Sequence, residues 1–99
     1  MKLWIDDVRP APKGYLLCTS VNQARQTILT LESLHRTIDL LDVDHDAGDY
    51  ARDGGDYIRL LDWLEETGRS YPIRIHSMNV VGRANMERII QRNNWKEIF

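Results

Sequence analysis

Residues 38–46 read Ile38-Asp39-Leu40-Leu41-Asp42-Val43-Asp44-His45-Asp46. Ile38, Leu40, Leu41 and Val43 supply the apolar content of a short strand, predicted over Ile38–Asp44. Packing gives no reason for a strand buried on both faces to carry acids at Asp42, Asp44 and Asp46. In extended geometry alternate residues share a side, so some of these acids gather on one side of the strand.

The same pattern recurs on either side. Leu3-Trp4-Ile5 is an apolar run that breaks at Asp6-Asp7, and Ile73 to Ser77 is a fourth strand closing on His76-Ser77. Tyr15 to Thr19 reads as the second strand. Ser20, with Gln23 three residues on, forms a capping box for a helix running to about Ser33, with Val21, Ala24, Ile28 and Leu31 on its inner face. Tyr57, Leu60, Leu61 and Leu64 mark a second amphipathic helix that ends at Gly68. Asn79 caps a third, beginning near Val81 and carrying Met86, Ile89 and Ile90 inward. The polar, glycine-rich segment Asp46 to Gly55 is a loop. Trp95 to Phe99 forms a short last strand or packs its aromatics on the core.

Strands alternating with helices imply a mostly parallel sheet of four or five strands with helices on both faces. The first connection departs from that rule. Arg9-Pro10-Ala11-Pro12-Lys13-Gly14 cannot be a helix, because two prolines and a glycine interrupt it. About eight extended residues span at most ~28 Å, enough to return past a strand of ~17 Å. Parallel pairing without a crossover helix and an antiparallel edge strand are therefore both open.

Length and composition set the frame. The 99 residues make a single domain over 1–99, and 42% hydrophobic content suffices for a core without staples. A net charge of −2 excludes an extended basic surface for nucleic acid, though a few local arginines can still hold a nucleotide. No apolar stretch approaches the ~20 residues of a membrane span. Met1 to Asp7 lacks the apolar region of a leader, so a cytoplasmic protein is expected. The single cysteine, Cys18, lies in an apolar run and reads as a small buried hydrophobe.

Open α/β sheets bind ligands beyond the carboxyl ends of their strands. Asp6-Asp7, Asp44-His45-Asp46 and His76-Ser77 all fall there. Carboxylates gathered from separate strands repel, and persist with a bound cation, a shared proton or generous solvation. Asp6, Asp7 and Asp44 are the candidate metal ligands, suited as hard oxygens to Mg²⁺ or Mn²⁺. His45, His76 and Asp46 are the candidate catalytic groups. Asp42, deeper in its strand, could join them or meet Arg74 or Arg36. Asp39, Asp49, Asp53 and Asp56 read as solvated acids, caps or ion pairs.

The segment Asn79-Val80-Val81-Gly82-Arg83 offers a helix start with free N–H groups, a glycine permitting close approach and a guanidinium fork. Asn79, Gly82, Arg83, Ser77 and, beside the acid pair, Arg9 are the candidate phosphate-binding residues. Acids for a metal, histidines for protons and arginines for an anion describe metal-assisted phosphoryl chemistry.

Paired acids after the first strand, an acid after the third and a hydroxyl residue after the fourth resemble the response-regulator receiver fold. That fold is flavodoxin-like, a three-layer α/β/α sandwich. The resemblance implies that Asp44, or less directly Asp46, accepts a phosphoryl group and that Ser77 reads it. The departures are a proline connector in place of the first helix, no lysine after a clear fifth strand beyond Lys96, and the added His45, Asp46 and His76.

A fuller resemblance is to the cyclic-phosphate-processing receiver-like family. It is carried by Trp4-Ile5-Asp6-Asp7-Val8-Arg9-Pro10, Asp44-His45-Asp46 with Gly48, and His76-Ser77-Met78-Asn79 followed by Val81-Gly82-Arg83 and Asn85-Met86. The family's usual leucine after the third acid is Ala47 here. Membership implies a receiver-like sheet and action on cyclic or terminal phosphates of nucleotides or RNA ends, with Asp6, Asp7, Asp44, His45, Asp46, His76, Ser77 and Arg83 as the site. The expected function is thus a metal-dependent phosphoesterase. The alternatives are a phospho-accepting signalling receiver and a non-catalytic binding domain.

Overall fold

A computed structural model describes residues 1–99. In chain order the elements are β1 (Lys2–Ile5), β2 (Tyr15–Cys18), α1 (Val21–Ser33), β3 (Leu40–Val43), a 3-10 turn (Gly48–Arg52), α2 (Ile58–Glu66), β4 (Ile73–Ile75) and α3 (Val80–Arg92). The sheet order is β2-β1-β3-β4 and every pairing is parallel. The proline connector therefore returns the chain for a parallel β2 without a crossover helix. Trp95–Phe99 adds a single parallel bridge, Glu97 to Ile73, at the β4 edge, and Trp95 is buried. No helix is long and apolar enough to cross a membrane.

Caps act where the sequence placed them. Ser20 Oγ accepts the Gln23 N–H, while Gln23 Oε1 reaches back to the Thr19 N–H, one residue earlier than a standard capping box. Gly68 follows the C-cap of α2 at a φ of 67°, the left-handed conformation glycine adopts most easily. Asn79 Oδ1 accepts the Gly82 N–H at the start of α3.

Register fixes which face each strand residue presents. Leu3, Leu41 and Ile73 align across the sheet, as do Ile5, Val43 and Ile75, and all six are buried in the main core. The inner faces of α1, α2 and α3 join that same core. Both crossovers, β2 to β3 and β3 to β4, step in one direction along the sheet. Right-handed crossovers then put their helices on the same face, and α1 packs on α2, which packs on α3.

The opposite face carries the rows Lys2-Tyr15-Leu40 and Trp4-Asp42-Arg74, with Leu17 beside Trp4. No helix covers it. The α/β class and parallel sheet match the receiver-like expectation, but the helix layering is one-sided. The element that would cover the second face is the one the proline connector replaces.

Candidate functional site

Ile5, Val43 and Ile75 stand level in adjacent strands. The next residue of each chain is Asp6, Asp44 and His76, and their backbone N–H groups extend the ladder: Asp6 to Cys18 O, Asp44 to Ile5 O, His76 to Val43 O. The sheet thus delivers two acids and a histidine to one level at its carboxyl edge. Asp7 follows Asp6, and Asp42 lies two residues before Asp44.

Asp6, Asp7 and Asp44 each present a carboxylate oxygen, and these oxygens lie within 4.8 Å of one another. Asp6 is fully buried, whereas Asp7 and Asp44 are half-buried. Asp6 Oδ1 accepts the N–H groups of Val8 and Arg9, and its Oδ2 faces His76 Nε2 at 2.8 Å. Burial pushes the Asp6 carboxyl up, but those backbone donors and His76 outweigh it, so its pKa is lowered overall. Asp7 goes the other way. Burial raises it, its own backbone N–H opposes, and the charges of Asp6 and Asp44 raise it further. Asp7 and Asp44 form no ion pair with any lysine, arginine or histidine. Three hard oxygens with two of their carboxylates uncompensated fit a divalent cation completed by water.

Asp42 is fully buried yet close to three partners. His76 Nδ1 faces its Oδ1 at 2.7 Å, Arg74 Nη1 lies 3.6 Å from its Oδ2, and the Tyr15 hydroxyl is 3.4 Å away. It therefore meets Arg74, not Arg36. His76 bridges Asp6 and Asp42 through its two ring nitrogens and stacks flat on Trp4, with centroids 3.9 Å apart and planes at 4°.

A second group stands across the edge. His45 Nδ1 is 2.8 Å from Asp46 Oδ1, and Asn79 Nδ2 approaches both Asp46 oxygens at 3.3 and 3.4 Å. The His45 bond, and then burial opposing it, leave Asp46 lowered overall. Gly82 is buried against the His45 ring, where a Cβ would come to 2.5 Å. The close approach made possible by this glycine is thus that of His45. Arg83 donates Nη1 to Ile75 O at 2.9 Å and Nε to Glu87 at 3.1 Å. Arg9 donates Nη1 to His76 O, 3.9 Å from Asp6 Oδ2. Ser77 Oγ accepts the Asn79 N–H.

Asp39, Asp53 and Asp56 serve structure. Asp39 pairs with the N-terminal amine, Asp53 takes Ser20 Oγ and Asn22, and Asp56 takes the Ala47 N–H. Three residues of the site escaped the sequence reading of it. Trp4 platforms His76. Gly48, at a φ of 56°, lies where any Cβ would strike Asp7 Oδ2. Tyr57, read as core, donates its hydroxyl to Thr19 O, and burial followed by the charges of Asp7, Asp6 and Asp44 pushes its phenol up. Gly48 next to the acid motif was the one available signal.

Residues 1–92 match the family model described as a cyclic-phosphate processing receiver domain. The chain belongs to that family. The match spans β1 through α3, and so includes every candidate site residue of this receiver domain. No curated protein and no solved structure gives a significant match.

Proposed function

We propose that this receiver domain is a metal-dependent phosphoesterase acting on a cyclic or terminal phosphate of a nucleotide or an RNA end. The observation that carries it is the convergence of Asp6, Asp7 and Asp44 within 4.8 Å, two of them without a cationic partner. These residues would hold Mg²⁺ or Mn²⁺. A divalent cation there offsets phosphate charge and lowers the pKa of a bound water.

The chain's own groups supply the rest. His76, with both nitrogens facing carboxylates, holds Asp6 in place and serves as a positioning residue. His45 is oriented by Asp46 and confined by Gly82, which leaves its other nitrogen to exchange a proton with the substrate. A water attacks phosphorus and releases its proton to solvent, one P–O ester bond breaks, and His45 gives its proton to the departing oxygen. The Asn79 cap leaves the Val80 and Val81 N–H groups without intrahelical partners, and with the Ser77 hydroxyl these receive phosphate oxygens. Arg9 and Arg83 are held at the rim by backbone carbonyls and keep further donors for an anion.

Hydrolysis of a 2′,3′-cyclic nucleotide with Mn²⁺ tests this. Activity should vanish with chelator and fall by orders of magnitude in Asp44→Asn and His45→Ala. Undiminished turnover in Asp44→Asn overturns the proposal. A stable phosphoryl mass gain on Asp44 from a small phosphodonor, without turnover, assigns a signalling receiver instead.

A further inference from the structure

Beside His76, β4, the start of α3 and the C-terminal segment line a half-open cavity of about 350 Å³. Arg74, Ile75, His76, Ser77, Met78, Arg83, Ile98 and Phe99 line it. None of these is an acidic residue, but acids stand behind both arginines: Asp42 lies 3.6 Å from Arg74, and Glu87 lies 3.1 Å from Arg83, with Glu97 close enough to feel both Glu87 and Arg83. Arg74 is half exposed and its only ion pair, to Asp42, is long at 3.6 Å, so most of its donors are free. Arg83 spends Nε and Nη1 on Glu87 and Ile75 O, which leaves Nη2. Met78 and Phe99 are 83% and 88% exposed, large apolar groups without packing partners at the mouth.

Two planar cations beside exposed apolar side chains suit an anion attached to a flat aromatic ring. Guanidinium planes and apolar side chains stack on nucleobases, and the volume lies within the ordinary range of small-ligand sites. We infer that this cavity is a nucleotide pocket: Arg74 and Arg83 take a phosphate, while Met78, Ile98 and Phe99 take the base. The inference rests on the phosphoesterase reading for its link to the acids. Ser77 and His76 belong to both places, and His76 touches Asp6, so a nucleotide seated here lies beside the acid cluster. Arg74 and Met78 then set specificity: the domain selects a nucleotide over a bare phosphoester.

The test is titration of the full chain with adenosine 5′-monophosphate in chelator, read by backbone amide shifts, so that no cation contributes. Shifts should concentrate on Ser77, Met78 and Ile98. Arg74→Gln, which loses one charge-assisted contact, and the surface variant Met78→Glu, which replaces an apolar contact with a negative charge near the phosphate, should each weaken binding about tenfold. Inorganic phosphate should bind far more weakly at the same residues. Shifts elsewhere, equal binding of phosphate, or unchanged affinity in both variants overturns the pocket. A short oligoribonucleotide ending in phosphate separates the two sources of this chemistry: tighter binding than the mononucleotide assigns an RNA end, equal binding a free nucleotide. Metal-dependent turnover without nucleotide binding in the cavity removes the pocket alone. Binding without turnover removes the phosphoesterase reading and leaves the pocket.

Discussion

Two pairs of aspartates share the carboxyl edge of this sheet and are treated in opposite ways. Asp6 and Asp42 are fully buried, bracketed by one histidine and backed by Arg9 and Arg74. Asp7 and Asp44 are half-buried, close to each other and to Asp6, and lack any cationic partner. The first pair is held by neighbours of its own, although Asp6 also offers an oxygen to the cluster. The second is an unmet demand for positive charge. Adjacent side chains of one type therefore divide into support and site according to what the neighbouring strand supplies.

Breaking the scaffold should cost most. His76→Ala strands two buried carboxylates and removes the stacking partner of Trp4. Loss of one partner from a buried ionic group costs roughly 3–5 kcal/mol, measurable by urea unfolding. Next comes the wall beside the open pair. Gly48→Ala combines a left-handed φ with a clash on Asp7, so it should lose about 1–2 kcal/mol and weaken Mn²⁺ binding.

The open pair should respond with the opposite sign. Asp7→Asn relieves repulsion and should stabilise the cation-free protein by about 1 kcal/mol, seen as a higher urea midpoint in chelator. The sign in pH agrees. Because the folded Asp7 pKa is raised, its ionisation weakens the fold above that pKa, and acidification relieves the strain.

An ordinary ion pair gives the smallest effect and the reverse slope. Glu32 is held low by Arg69, against partial burial, and by the Tyr71 hydroxyl. Its contribution is complete above the unfolded pKa and is lost as pH falls through the lower folded value. Glu32→Gln should therefore cost about 1 kcal/mol near neutral pH and converge with wild type in acid. A difference that persists at low pH would contradict that assignment.

Much of this was legible in the chain. An apolar triplet followed by acids marked β1, an apolar run interrupted and followed by acids marked β3, and Ser20, Gly68 and Asn79 punctuated the helices. Leu3, Ile5, Leu41 and Val43 could be read as core because local pattern decides them. The one-sided helix layer was less visible. It follows from crossover direction, and the connector Arg9–Gly14 permitted either strand orientation. At the site, residue types announced Asp6, Asp7 and Asp44, but partnership did not show. Trp4 looked like core until it met His76, 72 residues away in sequence. Arg83 followed a helix start and read as a phosphate grip over the acids. What local pattern did not show is that its guanidinium is anchored on Ile75 O and on Glu87, one helical turn on, with Nη2 left over. Gly82 admits the His45 ring, a contact 37 residues back that no local pattern encodes.

Calorimetric titration of the chain with Mn²⁺ tests the central claim most directly. One site is expected in wild type, retained in the exposed control Asp49→Asn and lost in both Asp7→Asn and Asp44→Asn. Wild-type affinity in either of those two variants would show that the three carboxylates do not share an ion.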